Sequence, residues 1–229
     1  MDYDITFFLP CRSGSERVID KNTKDFAGIN GGLLFLKLKQ LLELKYTINI
    51  ILSTNDNKVI EIGKSFNDSR ITIDERPESL CLSSTKVKDL INYVPKIVKT
   101  SHVFWLHVTT PFVGPEIYED AISKYFLKLE EGFDSIMSVS KCNSFLWDSE
   151  KRETINFDRN HGYPRTQDLK GLYEINHAFY AMSIKNYLRF KDRIGTNPYL
   201  YQLSKVNGFD IDEEDDFKIS EQIFKNKLF

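Results

Sequence analysis

The segment ITFFLPCRSGSERVIDKN, residues 5–22, is the first part of the chain from which a fold can be predicted. Residues 5–9 form a short apolar run that ends at Pro10, and such a run predicts a buried strand. A polar loop that contains a glycine and several cations follows this strand directly. Ligands of open α/β sheets bind beyond the carboxyl ends of the strands, so this loop is a candidate ligand site.

Beyond this segment, short apolar runs alternate with stretches of helical periodicity up to residue 140. Further strands are predicted at residues 48–53, 71–73, 103–108 and 134–140. Helices are predicted within residues 33–45, 56–66, 86–100 and 116–129, the last opened by Pro115. This alternation implies crossover units, so we expect an α/β, Rossmann-like doubly wound fold with a mainly parallel sheet. The first 140 residues would form its nucleotide-binding half.

The pattern changes after residue 140. Residues 141–175 carry turn residues and charges without clear periodicity. Two more short strands and a final helix are predicted at residues 178–182, 208–211 and 213–225. We interpret residues 1–229 as a single domain in which residues 141–182 form an inserted subdomain.

The composition excludes several classes of protein. The 31 Lys and Arg residues against 33 Asp and Glu give a net charge of −2, which argues against a globally basic nucleic-acid-binding protein. No stretch approaches the roughly 18 apolar residues of a membrane span, and the N-terminus lacks the features of a signal peptide. Cys11, Cys81 and Cys142 show no spacing typical of a zinc site or a disulfide framework, so we expect a cytoplasmic protein.

The loop after the first strand has the composition of a phosphate-binding site. Its small residues let backbone N–H groups approach phosphate oxygens, and its cations supply charge-assisted hydrogen bonds. The candidate nucleotide-binding residues here are Arg12, Ser13, Gly14, Ser15, Arg17, Lys21 and Asn22. The spacing matches neither a P-loop nor a dinucleotide-binding fingerprint, and a solvated polar loop with ordinary surface cations is the alternative interpretation.

Two aspartates, Asp210 and Asp212, form the candidate metal site. In a strand, residues two apart face the same side, so both carboxylates can converge on one hard cation. Mg²⁺ suits such a pair because it takes one or two carboxylates together with phosphate oxygens. The acidic residues that follow, Asp215 and Asp216, are better explained as the first turn of the last helix.

Three further polar segments lie near predicted strand ends. Arg76 is a candidate contact for a phosphate or a base, and the hydroxyls of residues 83–85 are available to a nucleotide or as a helix cap. The other candidates are Ser83 and Ser84 in that cluster, His107 and Thr109 after the fourth strand, and Arg165, Gln167 and Asn176 in the predicted subdomain. His107 and His177 lack partners at ligand spacing, so metal-binding histidines are not expected.

Taken in order, these segments resemble the acylneuraminate cytidylyltransferases, also called CMP-sialic acid synthetases, and more loosely the CMP-Kdo synthetases. The loop from Arg12 to Arg17 with Lys21-Asn22 is similar to the family's Arg-x-x-Ser-Lys-Gly…Lys-Asn loop. Four later segments resemble family motifs in the same order: RPESL at 76–80, VTTP at 108–111, the block at 165–180 and Asp-Ile-Asp at 210–212. The resemblance covers almost the whole chain.

The resemblance implies a nucleotidyltransferase that joins CTP and a 3-deoxy sugar acid, such as a sialic acid-like nonulosonic acid. The products are a CMP-sugar for surface glycan biosynthesis and pyrophosphate. Mg²⁺ would be held by Asp210 and Asp212, while Arg12 and Lys21 would hold the triphosphate, and Arg12, Lys21 and Asp212 would form the catalytic set. Asn22, Arg76 and the hydroxyls of residues 83–85 would contact cytidine.

On the sugar side, the resemblance places His107, Thr109, Arg165, Gln167 and Asn176, with Arg165 a candidate for a carboxylate. It also implies a homodimer that forms through residues 141–182. The aromatic residues Phe145, Trp147, Phe157 and Tyr163 of this region suit an interface. No nucleic-acid or membrane partner is expected.

The sequence also departs from the family pattern at four positions. Glu16 stands where the sialic acid enzymes have Lys, Val113 replaces a basic residue, His107 replaces Gln, and His177 replaces Gly. These changes leave three alternatives open. The chain can be a nucleotidyltransferase for Kdo, another sugar or an alcohol, a metal-dependent glycosyltransferase, or a catalytically impaired nucleotide-binding paralogue.

Overall fold

A seven-stranded sheet forms the centre of this protein. The structure is a computed structural model that describes residues 3–46 and 48–229. Its strands are Ile5–Pro10 (β1), Asn49–Thr54 (β2), Ile71–Glu75 (β3), His102–Leu106 (β4), Ser135–Cys142 (β5), Trp147–Asp148 (β6), Glu153–Thr154 (β7), Leu172–Ser183 (β8) and Pro198–Leu203 (β9). Its α-helices are Gly32–Leu42 (α1), Asn57–Ser65 (α2), Val87–Ile97 (α3), Pro115–Glu130 (α4), Ile184–Phe190 (α5) and Glu214–Lys225 (α6).

The main sheet has the strand order β3-β2-β1-β4-β8-β5-β9. Parallel pairs join β1 to β2, β1 to β4, β2 to β3 and β5 to β9, whereas β8 runs antiparallel to β4 and to β5. The predicted α/β fold with a mainly parallel sheet is therefore confirmed. From β1 the chain builds outward to β2 and β3, and then β4 returns on the other side of β1. Ligands of open α/β sheets bind at such a topological switch point.

The central strand β1 is buried on both faces of the sheet. Phe7 belongs to the larger hydrophobic core with Leu38 of α1, whereas Phe8 belongs to the smaller core with Ile91 of α3 and Tyr187 of α5. Both phenylalanines are fully buried. Burial of such a side chain contributes about 1.5–3 kcal/mol, so the loop after β1 starts from a firmly held strand end.

The predicted strand at residues 208–211 is wrong. Those residues form a loop, and the last strand of the sheet lies earlier, at β9. In this edge strand, the buried Tyr201 and Leu203 alternate with the exposed Leu200 and Gln202. Such short alternation gives a weaker signal than a continuous apolar run, which is why the sequence did not reveal it.

Strand β8 is longer than the predicted 178–182, since it begins at Leu172. Its register with β5 shifts between Met137 and Val139, so residues 176–179 bulge on the β8 side. Bulges bend a strand and redirect its side chains, often next to active sites. This bulge carries two residues of the candidate site described below.

Residues 143–171 leave the main sheet between β5 and β8 and contain the small antiparallel pair β6–β7. The predicted subdomain of residues 141–182 therefore also includes main-sheet residues at both of its ends. Its role as a dimerisation element stays a prediction.

The helix ends agree with the sequence signals at two places and differ at a third. Pro115 opens α4 as predicted, and α6 starts with a capping box between Glu213 and Asp216. The hydroxyls of residues 83–85 do not cap α3, because Lys86 precedes this helix without a side-chain cap and Thr85 Oγ1 donates to Ser79 O. Among the described residues, no helix combines the length and apolar character needed to cross a membrane.

Candidate active site

The loop after β1 encloses a cavity of about 340 Å³ at the switch point of the sheet. The cavity is lined by Pro10, Arg12, Ser15, Glu16, Arg17, Val18, Lys21 and Asn22. Gly14 has a φ of +73°, which favours glycine at this turn. The N–H of Ser13 donates to Oδ1 of Asn55 at 3.0 Å and so ties the loop to the end of β2. The loop therefore presents a preformed polar hollow.

Arg12 stabilises this loop from within. Its Nη1 donates to the carbonyl oxygens of Ser13 at 3.2 Å and Gly14 at 3.1 Å. Asn22 Nδ2 lies 3.5 Å from the carbonyl oxygen of Arg12. Glu16 is exposed and lines the same hollow, so a carboxylate lies among these donors.

The cations of this loop meet the acidic segment near the C-terminus. Arg17 Nη2 lies 2.6 Å from Asp212 Oδ1, and its Nη1 lies 3.1 Å from Glu213 Oε1. Lys21 Nζ donates to the carbonyl oxygen of Ile211 at 2.8 Å and lies 3.8 Å from Asp212 Oδ1. Burial lowers the pKa of Lys21, although the nearby aspartates oppose that shift. The fold thus joins two motifs that are 190 residues or more apart in sequence.

Asp210 and Asp212 lie in a loop and not in a strand, so the predicted reason for their proximity is wrong. The loop is held because Ile211 N–H donates to the carbonyl oxygen of Thr109 at 2.9 Å. It is held again where Asp212 N–H donates to Asp216 Oδ2 at 3.1 Å. Both aspartates line the same second cavity.

Asp210 has an unusual environment for a carboxylate. Its Oδ1 is buried and finds no hydrogen-bond partner among the described residues. Burial raises the pKa of this carboxyl, and the side chain of Thr109 together with Lys21 opposes the rise. Leaving a buried acceptor without a partner costs about 1–3 kcal/mol. A ligand that binds this oxygen would remove that cost.

A divalent cation fits these two carboxylates. Among the described residues, no group of three or more His, Cys, Asp or Glu side chains is arranged to hold a metal ion. A hard cation such as Mg²⁺, however, uses one or two carboxylates and fills its other positions with phosphate oxygens and water. Asp210 and Asp212 therefore suit a cation that binds together with a phosphate ligand.

The second cavity, of about 690 Å³, lies between the bulged part of β8, the end of β5 and the loop of Asp210. Asn176 is buried there, with Nδ2 donating to Ser140 Oγ at 3.0 Å and Oδ1 accepting from Ala178 N–H at 3.3 Å. His177 also lines this cavity, is exposed, and has a φ of +57° at the bulge. At the bulge, two consecutive residues therefore line the same cavity, Asn176 as a buried side chain and His177 as an exposed one.

A cluster of rings extends from this cavity along β4. His177 Nδ1 lies 2.7 Å from the hydroxyl of Tyr180, and its ring lies 6.2 Å from the ring of His107. Trp105 Nε1–H donates to His107 Nε2 at 3.0 Å. Burial lowers the pKa of His107 to about 3, so the ring is neutral with its proton on Nδ1. Arg193 completes the cluster, with Nη1 at 3.4 Å from His107 Nε2.

Sequence reasoning missed Arg193. It lies in the loop between α5 and β9, where no motif marks it and where β9 itself was not predicted. No signal in a single sequence would have singled it out.

Arg76 is placed differently from a surface phosphate ligand. It is 5% exposed, its Nη2 donates to Ser53 O at 2.6 Å, and its Nε donates to Ser53 Oγ at 3.0 Å. Ser83 and Ser84 are exposed just before α3. The roles of these three residues at a nucleotide stay predictions.

Arg165 and Gln167 lie in the excursion of residues 143–171 and are exposed. Arg165 forms a double contact with Asp168, at 2.7 Å from Nε and 3.2 Å from Nη2. Neither residue lines the cavity that contains Asn176. Val113, which stands where the family pattern has a basic residue, is fully buried and therefore does not face a ligand.

Comparisons with known proteins identify the family of this chain. The family model described as Cytidylyltransferase matches residues 6–225. The pseudaminic acid cytidylyltransferase of Campylobacter jejuni subsp. jejuni serotype O:23/36 is 23% identical over 221 residues, covering 95% of this chain and 94% of that protein. The N-acylneuraminate cytidylyltransferase of Streptococcus agalactiae serotype III is 27% identical over 216 residues, which cover 91% of this chain and 50% of that protein.

Solved structures show the same fold. A CMP:2-keto-3-deoxy-manno-octonic acid synthetase complexed with CTP matches with a TM-score of 0.65 and 15% identity, covering 98% of this chain and 99% of that one. A 4-diphosphocytidyl-2C-methyl-D-erythritol synthase from Anaerococcus prevotii matches with a TM-score of 0.66 and 13% identity, covering 98% and 96%. At these identities, the likeness concerns the architecture alone.

Proposed function

The chain belongs to the cytidylyltransferase family, and from this premise we propose that it transfers CMP from CTP to a nonulosonic or related 3-deoxy sugar acid. The products are the CMP-sugar and pyrophosphate. The relatives named for pseudaminic acid and N-acylneuraminate support this class of acceptor. The observation that carries the proposal is the contact between the cationic loop and Asp212 beside the larger cavity.

The triphosphate of CTP binds in the hollow after β1. Ser15 lines this small, polar space, and Arg12, Arg17 and Lys21 supply positive charge around it. Ser13 and Gly14 of the same turn are proposed as further contacts of the phosphates. Arg17 and Asp212 are 56% and 50% exposed at the side chain, and such an ion pair contributes only about 0–1 kcal/mol. The cations therefore exchange Asp212 for phosphate oxygens at little cost in free energy.

Asp210 and Asp212 hold the divalent cation, which we propose to be Mg²⁺. The Oδ1 of Asp210, which has no hydrogen-bond partner among residues 3–46 and 48–229, is the ligand position that supports this assignment. When bound, the ion neutralises charge on the phosphate oxygens and polarises the α-phosphate. Lys21, which donates to Ile211 O between the two aspartates, keeps their loop in position beside the phosphates.

The acceptor occupies the larger cavity, where its hydroxyl oxygen attacks the α-phosphorus while the bond to pyrophosphate breaks and the hydroxyl proton is released to solvent. Phosphoryl transfer of this kind depends on positioning and charge stabilisation more than on covalent chemistry. Asn176 shapes the wall, and His107, Thr109, Arg165 and Gln167 stay proposed for the sugar side. Arg12 and Lys21 stabilise the charge on the departing pyrophosphate.

The cytidine lies toward the end of β2 and β3. We propose Asn22, Arg76, Ser83 and Ser84 as its contacts. Arg76 is held by Ser53, which in turn donates to Asp74 Oδ2 at 2.6 Å, so this side of the site is rigid before CTP binds.

We also propose a cytoplasmic homodimer. Trp147 and Tyr163 in the excursion of residues 143–171 are 52% and 74% exposed, which suits an interface with a second copy. The three cysteines are free thiols, which suits a reducing compartment.

Pyrophosphate release tests the proposed reaction. Purified protein with CTP, Mg²⁺ and a panel of 3-deoxy sugar acids is expected to release pyrophosphate only when an acceptable acid is present. Release with UTP or ATP in place of CTP would contradict the cytidine assignment. CTP binding without pyrophosphate release across the panel would favour a non-catalytic paralogue. Glu16 would then be the first residue to substitute, because its carboxylate lines the proposed phosphate hollow.

A further inference from the structure

Arg193 is an arginine whose charge has no carboxylate partner within ion-pair distance among the described residues. Its guanidinium stacks on two aromatic rings, with the carbon Cζ 4.2 Å from the ring centre of Tyr180 and 5.0 Å from that of Trp105. Stacking uses the faces of the planar guanidinium and leaves its N–H edge free to donate. A partly buried cation of this kind suits an anionic ligand.

The loop that carries Arg193 is ordered by its own hydrogen bonds. Asp192 Oδ1 accepts from the N–H of Arg193 at 2.6 Å and from that of Ile194 at 3.2 Å. Asp134 Oδ2 accepts from the N–H groups of Thr196 at 2.8 Å and Asn197 at 3.0 Å. These bonds order the backbone of the loop, and the stacking on Tyr180 and Trp105 positions the guanidinium, which lowers the entropic cost of binding a ligand.

Two histidines lie between Arg193 and the proposed acceptor cavity. Arg193 Nη1 lies 3.4 Å from His107 Nε2, and the ring of His107 lies 6.2 Å from that of His177, which lines the cavity with Asp210.

We infer that Arg193 binds the carboxylate of the acceptor sugar acid and thereby selects acids over neutral sugars, an inference that rests on the proposed function. A guanidinium edge matches a carboxylate with two parallel N–H···O bonds. Arg165 is the other candidate, and its guanidinium forms such a pair with Asp168 in the exposed excursion of residues 143–171. Among the described residues, Arg193 is the one of the two whose guanidinium has no carboxylate partner.

The test compares each sugar acid with its C1 carboxamide, which keeps the shape and removes the charge. For the wild-type enzyme, kcat/KM is expected to fall roughly 10- to 100-fold from acid to carboxamide, the size of a charged hydrogen-bonded pair. In Arg193→Gln, kcat/KM with the acid is expected to fall by a similar factor, whereas kcat/KM with the carboxamide is expected to stay unchanged. This variant would therefore no longer discriminate between the two. Arg193→Lys, which keeps the charge without the planar edge, is expected to lie between them.

Arg189→Gln is the matched control, because Arg189 is exposed on α5 and stacks on Phe190 at 5.1 Å without contact to the histidines. It is expected to discriminate as the wild type does. CTP affinity and the thermal unfolding midpoint are measured for every variant, and both are expected to stay unchanged. A fall in CTP affinity of Arg193→Gln would instead assign Arg193 to the nucleotide and overturn the inference.

Equilibrium binding of N-acetylneuraminic acid and Kdo, followed by calorimetry, separates this inference from the proposed reaction. Binding that depends on Arg193 without pyrophosphate release would support the carboxylate site and contradict the transferase. Turnover in which Arg193→Gln still discriminates acid from carboxamide would leave the transferase standing and overturn the inference. Wild-type protein that binds no acid would overturn both.

Discussion

Asp212 has one kind of partner in the structure and is proposed to have another during the reaction. In the structure its Oδ1 accepts from Arg17 and lies near Lys21, whereas the proposed reaction requires it as a ligand of a cation. Because the ion pair is half exposed, its contribution is only about 0–1 kcal/mol. In the proposed reaction, a metal-bound triphosphate would separate Asp212 from Arg17 and Lys21 at little cost in free energy.

Substitution of Asp212 tests this role. Asp212→Asn is expected to raise the Mg²⁺ concentration for half-maximal rate by at least ~10-fold, since one anionic ligand is lost, while the fold is retained. Asp215→Asn is the matched control, because Asp215 is 89% exposed at the side chain and pairs with Lys218. Initial rates over a Mg²⁺ series measure the effect, and equal Mg²⁺ dependence of the two variants would refute the metal role.

Lys37 of α1 is a buried cation that the reaction does not use. Its Nζ lies 2.9 Å from Thr110 O, 3.3 Å from Val113 O and 2.8 Å from the hydroxyl of Tyr118. Burial lowers the pKa of Lys37 to about 7. Between that value and the unfolded value near 10.5, the unfolded chain binds a proton that the folded chain does not, so stability rises with pH.

We therefore predict a pH-dependent difference between the wild type and Lys37→Met. The free energy of unfolding of the wild type minus that of the variant is expected to rise from pH 7 to pH 10, by up to about 1.4 kcal/mol per pH unit. Urea unfolding at several pH values measures this difference. Taking the difference between the wild type and the variant cancels the pH dependence that all other titratable groups contribute to both proteins. A flat difference would mean that Lys37 stays charged in the fold.

At the scale of elements, the site is assembled by loops that hold one another. The turn after β4 is fixed by Lys37 and accepts the N–H of Ile211 at Thr109 O, so it positions the loop of Asp210. That loop is packed against the bulge of β8 through Gly208. A Cβ atom at residue 208 would lie 2.5 Å from Asn176 Nδ2 and 2.6 Å from Ser140 Oγ.

Gly208→Ala is expected to disturb this packing. The added methyl must displace Asn176 or the loop, which costs about 1–3 kcal/mol of stability and moves Asp210 away from its working position. Activity is expected to fall more than stability alone explains. Gly171→Ala is the control, since no atom lies within 4 Å of a Cβ there. Thermal unfolding and pyrophosphate release measure both effects, and equal behaviour of the two variants would contradict the close packing.

At the scale of the whole molecule, exposed aromatic surface is concentrated in the excursion of residues 143–171. The rings of Phe145, Phe157 and Tyr163 lie within 5.0–5.9 Å of one another, so they form a common cluster. Phe145 is 45% exposed and Tyr163 is 74% exposed. An apolar surface of this kind, outside the main sheet, suits contact with a second copy.

The oligomeric state tests this assignment. Tyr163→Asp is expected to shift the protein from dimer to monomer in light scattering after gel filtration, because a buried charge at an interface is costly. Leu188→Asp, at a residue of α5 that is 63% exposed, is the control and is expected to leave the dimer intact. A wild-type monomer at micromolar concentration would contradict the dimer.

Part of the fold and site follows from local sequence patterns. The apolar runs at β1, β2, β4 and β5 predict the parallel sheet, because strands buried on both faces need continuous apolar residues. The cationic loop after β1 and the carboxylates of Asp210 and Asp212 are recognisable from residue types and order alone, and they also carry the resemblance to the family.

The tertiary structure decides what depends on contacts between distant segments. Residues 208–211 looked like a strand, but the hydrogen bond of Ile211 to Thr109 holds them as a loop, and no local pattern contains that partner. Arg193 becomes conspicuous only when Tyr180, Trp105 and His107 surround it. Composition and periodicity determine which elements form, whereas burial and the pairing of charges are properties of the packed chain, so only the assembled fold fixes them.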